Sequence, residues 1–447
     1  MKVPFTRILI KINHHLIIPL LRVIRCSDFL KKFVPTRSGG MDDTMNITFP
    51  LILDGAMGTQ LYKAGMPSGV CPETWVTEHP DAAEKIQRAY VEAGSQVIYT
   101  PTFGANAAIL EHNGVFNRVE EYNRQLAAIS RRAADGRALV AGDIAPTGGM
   151  LYPMGDMSFE ELYEIYRQQA SALEEAGVDL FVVETMTSVA EARAAVLAVK
   201  SVSQKPVFVS FSCDENGRTM MGSDVCAALE IMQGCGVDAF GLNCSVGPEE
   251  MLTQIRRLAS RACVPLLAKP NAGLPRTVEG TTQYTVSAEE FAQYIPRLAQ
   301  AGVQIFGACC GSDPDYIAAI RQALMGVPMD PPTPVSLDLL PCATEKELFL
   351  LPPDAACTQI LACDDELEDN LCELEEGELF GIEIRSIEDV AAFADAQYAI
   401  RNPLCLICDD AVLLEKALRV YQGRPLYDGT LPDEVLLPLA DKYGLIV

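Results

Sequence analysis

Cys309 and Cys310 stand side by side in FGACCGSDPDYI, where an apolar run ends. Neighbouring residues of a strand point to opposite faces, so two adjacent thiols serve one site only where the strand has ended and the backbone turns. Gly307 and Gly311 bracket the pair and permit such a turn. Three readings are open: a strained vicinal disulfide, two idle core thiols, or two ligands of one metal. A third thiol, Cys244, follows the run VDAFGLN, and carboxylates close two further runs, Asp54 in PLILD and Glu184 in VDLFVVE.

These residues recur at one place in a repeating pattern. Apolar runs at 50–56, 96–103, 138–146, 178–186, 206–212, 237–245, 265–273 and 303–311 are each followed by a stretch of helical period. The runs are continuous rather than alternating, as in parallel strands buried on both faces. The helix from Ser158 opens with Glu161 at capping-box spacing, and Gly177 suits its end. Eight strand–helix units in this length predict an α/β fold of the TIM (β/α)8 type, with a doubly wound open sheet as the alternative. In such a barrel the active site lies at the C-terminal ends of the strands. Asp54, Thr102, Phe103, Asp143, Glu184, Asn243, Cys244, Asn271, Cys309 and Cys310 all fall there.

At 447 residues the chain exceeds one ordinary core. The expected organisation is a basic extension over 1–45, a barrel over 46–326, a linker with four prolines over 327–340, and a small acidic α/β domain over 341–447. The extension carries eight Lys and Arg residues against Asp28 in its first forty positions. It reads as disordered or as the product of an upstream start codon, with Met41 or Met45 as the working start. Its apolar stretch is broken by Lys11, His14, His15 and Pro19, which a membrane span does not tolerate. A net charge of −25 argues against nucleic acid and anionic membrane as partners. Fifteen cysteines in so long a chain do not make a secreted disulfide scaffold, and most read as reduced buried thiols in a cytosolic protein.

If Cys244, Cys309 and Cys310 share one mouth, their sulfurs form a sufficient ligand set for zinc and leave the fourth tetrahedral position open. Core thiols are the plain alternative. An open thiolate site suits a substrate thiol, which coordination deprotonates and which remains able to attack an electrophilic methyl group. Hydrolysis through activated water would enlist His or a carboxylate base. His14, His15, His79 and His112 all lie outside the strand-end set. No catalytic group is expected beyond the metal ligands. Lys269 reads as a solvated lysine at the rim, with a Schiff-base role as the lesser alternative.

LDGAMGTQL, TPTFGAN, GDIAPTG, VVETM, GLNCSVGPE, KPNAGLP and GACCGSDPDYI resemble, in that order, the homocysteine-binding domain of the homocysteine S-methyltransferases, over about residues 50–325. The resemblance implies a TIM barrel with zinc on Cys244, Cys309 and Cys310, and transfer of a methyl group to homocysteine to give methionine. It also implies an amino-acid pocket that uses Asp54 and Glu184, and backbone near Gly55 that meets the substrate carboxylate. Ala308 replaces the second glycine that usually precedes the cysteine pair. The wording is nearest to the amino-terminal module of cobalamin-dependent methionine synthase. That implies a methylated corrinoid on another protein as donor, with S-methylmethionine or S-adenosylmethionine, or a non-catalytic barrel subunit, as alternatives. The tail resembles a fragment of a folate-binding barrel, with Asp409-Asp410 in place of that barrel's Asp-Ser-Ser. The Asp-x-His-x-x-Gly signature of a cobalamin module does not occur.

Overall fold

The computed structural model describes residues 47–274, 276–278, 281–329, 331–332 and 338–447. The expected N-terminal extension over 1–45 lies outside them, as do residues 330 and 333–337 of the expected linker. The chain divides into two compact units, one over Phe49–Pro332 and one that includes Thr333–Val447.

The first unit is an eight-stranded parallel sheet rolled into a barrel. Its strands are β1 (Leu51–Ile52), β2 (Val97–Tyr99), β3 (Leu139–Ile144), β4 (Leu180–Met186), β5 (Val207–Phe211), β6 (Ala239–Asn243), β7 (Leu266–Lys269) and β8 (Val303–Phe306). Consecutive strands pair in parallel from β2 through β8, and β8 pairs with β1, with Leu51 opposite Ile305. The remaining seam, β1 against β2, is joined by Gln96 N–H donating to the Ile52 carbonyl at 2.7 Å. Two side chains complete it: Gln96 Oε1 accepts Ile52 N–H at 2.8 Å, and Asp54 Oδ2 accepts Tyr99 N–H at 2.8 Å. The barrel is therefore closed, as the eight even units predict, and the open-sheet alternative falls.

Except for β4, the strands are shorter at their C-terminal ends than the apolar runs that announced them. The run 303–311 is strand only to Phe306, and 265–273 only to Lys269. The trimmed residues form the loops of the mouth. Helices follow every strand, among them α1 (Pro80–Ala93), α2 (Val119–Ala134), α3 (Phe159–Glu175), α4 (Val189–Val202), α5 (Val225–Gly234), α6 (Pro248–Ala259) and α7 (Pro314–Ala323). The capping box at α3 is formed, with Ser158 Oγ accepting Glu161 N–H at 3.2 Å and Glu161 returning to Ser158 N–H at 2.8 Å. Gly177 sits just beyond α3 at φ +75°. Apolar side chains such as Leu61, Val76, Leu110, Tyr122 and Leu126 fill the space under the first helices.

The second unit holds a four-stranded parallel sheet with Ile360–Leu361, Phe380–Glu383, Leu404–Ile407 and Leu426–Asp428 in that order. Helices Ile387–Ala396 and Ala411–Val420 connect its later strands. This is the small α/β unit that the sequence predicts. An antiparallel hairpin, Leu340–Ala343 with Leu348–Leu351, was not anticipated. Pro341 lies inside its first strand, and a proline ordinarily argues against a strand. Among the described residues no helix is long and apolar enough to cross a membrane.

The tightest backbone approach in the barrel is at Gly241 of β6. A Cβ there would lie 1.9 Å from the Leu267 carbonyl oxygen. Replacing Gly241 by Ala must force β6 and β7 apart. The expected loss is about 3 kcal/mol of stability, read as a lowered urea midpoint with an unchanged slope.

Candidate functional site

The two strand ends that carry the cysteines break their alternation in different ways. After β6, Cys244 and Ser245 adopt φ of 61° and 54°, in the left-handed region that non-glycine residues rarely occupy. Cys244 N–H donates to the Lys269 carbonyl at 3.1 Å, which ties the turn to the end of β7. After β8, Cys309 N–H donates to the Pro270 carbonyl at 2.8 Å, and Gly311 turns the chain at φ +86°. A Cβ on Gly311 would meet the Tyr284 ring at 2.3 Å. Gly311 thus meets both needs of this turn, the left-handed backbone and the space for Tyr284.

The result is a cluster. One sulfur each from Cys244, Cys309 and Cys310 lie within 4.8 Å of one another, all three residues partly exposed. Cys244 Sγ is 3.9 Å from Cys310 Sγ. All three are free thiols, so the vicinal disulfide is not formed. Hydrogen bonds from Cys309 and then Cys310 pull the Cys244 thiol down to about 3. The same contact with Cys244 pushes Cys310 up to about 11, and holds Cys309 well above its ordinary value. Like charges at this spacing repel, so ionising more than one of the three thiols calls for a cation among them. The buried amide of Asn271 hydrogen bonds Cys244, and its Oδ1 has no hydrogen-bond partner among the described residues. A donor set of thiolates with one spare oxygen is the chemistry of a soft divalent metal.

Asp54 and Glu184 lie inside the same mouth, 3% and 8% exposed. Neither caps a helix, since Met57 and Ser188 hold the adjacent N-cap positions. Between them stands Lys269. Its Nζ is 3.1 Å from Asp54 Oδ1, 3.8 Å from Glu184 Oε2 and 3.7 Å from the centre of the Tyr99 ring. The expectation of a solvated rim lysine is therefore wrong: Lys269 is 3% exposed, and its charge is held by two acids and an aromatic face. Burial disfavours that charge, yet Tyr99, Asp54 and Glu184 together hold the ammonium well above an ordinary lysine. Burial raises both acids in turn, Glu184 to about 6, against the pull of Lys269. A Cβ on Gly55 would meet the Tyr90 ring at 2.7 Å, and the adjacent Ala56 N–H already donates to Ser312 Oγ at 3.0 Å.

Asn243 joins the two halves of the site. Its Oδ1 accepts Thr185 N–H at 2.8 Å and the Ser210 hydroxyl at 2.9 Å. Its Nδ2 donates to Thr185 Oγ1 at 2.7 Å and to Glu184 Oε2 at 3.3 Å, and stands 3.9 Å from Cys309 Sγ. Sequence reasoning placed Asn243 at the mouth without a role and gave Tyr99 none at all. For Lys269 the missed signal was a lone cation inside an apolar run, which calls for a buried partner.

The sequence also matches known proteins. The family model described as homocysteine S-methyltransferase matches residues 51–324. This chain belongs to that family. Membership in the homocysteine S-methyltransferase family makes it a methyltransferase, as the strand-end motifs indicated. Methionine synthases of Mycobacterium leprae and Mycobacterium tuberculosis are each 32% identical to it, over 292 and 295 residues. Those matches cover 61% and 62% of this chain but only 24% and 25% of the relatives, so the chain matches about a quarter of their length. The metallated form of the homocysteine methyltransferase MmuM from Escherichia coli shares the fold, with a TM-score of 0.53 at 24% identity, over 61% of this chain and 95% of that one.

In this member of the family, Asn243→Ala leaves the part-buried Thr185 N–H and the buried Ser210 hydroxyl without an acceptor. The expected cost is about 3 kcal/mol, measured by chemical denaturation, and Ser210→Ala introduced on top of it should add almost nothing.

Proposed function

We propose that the protein is a zinc-dependent homocysteine S-methyltransferase that forms methionine. Zinc would be held by Cys244, Cys309 and Cys310, with homocysteine in the fourth position and a methylated corrinoid on another protein as the donor. The observation that carries this reading is the meeting of three sulfurs within 4.8 Å beside a buried cluster of acids. Zinc, when bound, supplies the positive charge that keeps a substrate thiol ionised at neutral pH.

The chain's own residues supply the rest. The cysteines fix where the substrate sulfur sits. Asp54 and Glu184 hold the α-ammonium group from the other side of the mouth, and the backbone at Gly55 approaches the α-carboxylate. Binding at both ends leaves the sulfur one orientation, which brings it towards the donor rather than into random collisions. The sulfur then takes the methyl group in a single displacement. Its lone pair forms the new S–C bond as the bond from carbon to the donor breaks, and the electrons of that bond leave with the donor. No proton need move in this step once the thiol is ionised.

Exposed apolar side chains on the loops after the strands favour a large donor. Phe103, Met150, Tyr152, Met154, Met220 and Leu274 are each 42% exposed or more. They follow β2, β3, β5 and β7, at the face through which a donor must approach. On this reading they would meet a macromolecular donor, whereas a small sulfonium donor has less use for them. The free thiols of the site suit the reducing cytosol.

The test is metal analysis together with methionine formation from homocysteine, with methylcobalamin, S-methylmethionine and S-adenosylmethionine as separate donors. The expected result is one zinc per chain and turnover with methylcobalamin. Cys310→Ser, or removal of the metal with a chelator, should each lower the rate by more than the about 100-fold typical of outer-sphere changes. A protein that takes up no zinc at these cysteines overturns the reading. Turnover confined to a sulfonium donor keeps the zinc and removes the corrinoid.

A further inference from the structure

The mouth of the barrel holds one acid more than its cation can serve. Asp143 lies on β3 beside Gly142, and a Cβ on Gly142 would meet Leu173 and Val178 on the helix side. Alternation along the strand therefore turns Asp143 into the barrel. Its Cα partner is Val182, two residues before Glu184 on the same face of β4. Asp143 is 4% exposed. Its main chain is satisfied: N–H donates to Thr100 Oγ1 at 2.9 Å, and the carbonyl accepts the Thr102 hydroxyl at 2.7 Å. Its side chain is not. Asp143 Oδ1 is buried with no hydrogen-bond partner among the described residues.

A buried acceptor without a donor costs about 1–3 kcal/mol. Among the described residues several amide oxygens share that state, Gln87 and Gln169 for example, but Asp143 Oδ1 is the carboxylate oxygen that does, and it lies at the mouth. Its neighbours cannot complete it. Lys269 is committed to Asp54 at 3.1 Å and leans to Glu184 at 3.8 Å. Asp54 has both oxygens engaged, one by Lys269 and one by Tyr99 N–H. Glu184 Oε2 takes Asn243 Nδ2. Burial, then the charge of Glu184, hold the Asp143 carboxyl well above the usual carboxylate range, against Lys269, with Asp54 and Glu73 adding to the rise. Three acids around one ammonium leave room for a second cation.

We propose that Asp143 is a third carboxylate of the amino-acid subsite, its Oδ1 accepting a hydrogen bond from the α-ammonium group of homocysteine. The proposal rests on the homocysteine reading above. Asp54 and Glu184 keep the places given them above, each also bonded within the barrel, and Asp143 adds the acceptor that has no donor of its own. An ammonium group brings three donors, and each must find an acceptor once water is excluded. A pocket built this way also rejects thiols that lack the amine, because they leave the buried acid unpaired.

The experiment is calorimetric titration of zinc-loaded wild type and Asp143→Asn with L-homocysteine and with 4-mercaptobutanoate, which has the same chain and carboxylate but no amine. Neither measurement needs a methyl donor. Asp143→Asn should keep its zinc, lose about 30-fold in affinity for homocysteine, and bind 4-mercaptobutanoate as wild type does. Equal weakening of both thiols would make Asp143 a structural residue only, and no change in either would remove it from the subsite. Asp143→Ser, smaller and neutral, is read by the same ratio if the Asn variant does not fold. A wild type that does not prefer homocysteine to 4-mercaptobutanoate overturns the homocysteine reading itself. That outcome is distinct from a wild type that prefers homocysteine and an Asp143→Asn that does so equally.

Discussion

Charge balance in a confined mouth is the constraint on which the rest of this barrel depends. Asp54, Asp143, Glu184 and three thiols open into one end of it, and among the described residues the cation set between the acids is Lys269. Like charges a few ångströms apart in a poorly hydrated place repel by several kcal/mol each. Burial pushes Asp143 and Glu184 up, and the contacts among the sulfurs pull Cys244 down while they push Cys309 and Cys310 up. Both ends of the mouth therefore favour a cation. On the proposed function, a metal takes the sulfur end and the substrate ammonium takes the carboxylate end.

The same residues hold the barrel shut. Asp54 bridges β1 to β2 through Tyr99 N–H and β1 to β7 through Lys269, while Asn243 ties β6 to β4 and β5. Closure of the barrel and construction of the site are thus one event rather than a scaffold with a site added. The backbone bears the consequence. Thr185, Cys244 and Ser245 have positive φ, and all three follow a residue of the site or belong to it. Strain of this kind persists only where surrounding bonds over-determine it. Here they do, through Asn243 on Thr185 and the Lys269 carbonyl on Cys244.

What could be read from the sequence were the features with a local cause. Continuous apolar runs at even spacing demand parallel strands, and eight of them close. Cysteines at the ends of two runs then lie at one mouth although Cys309 comes 65 positions after Cys244. The capping box of Ser158 and Glu161 is likewise local. What could not be read were partners chosen across the barrel. Lys269 looks like a rim lysine until Asp54, 215 residues away, is seen beside it. Tyr99 looks like one more core aromatic until its ring is found under that ammonium. Nothing in GDIAP says that Asp143 lacks a donor, because an unmet bond is a property of every neighbour at once. The hairpin from Leu340 was hidden differently, by a proline inside its strand.

The two ends of the site make unequal demands on the rest of the molecule. The carboxylate end, which on the proposed reading receives the acceptor's amine, is buried and assembled from the strands of Phe49–Pro332. The donor end is shallow and ringed by apolar side chains such as Met154 and Met220, 67% and 76% exposed. An enzyme that bound both reactants in one closed pocket would bury such residues against the donor. One that binds its acceptor alone must leave its upper face open and adhesive, at some risk of aggregation, so that a carrier can settle there with its methyl group facing down. On the proposed reading the openness of that face is therefore as much a part of the chemistry as the sulfurs beneath it. On the same reading, specificity for the acceptor would be set before the donor arrives, by acids that accept an amine and a sulfur cluster that accepts a thiol.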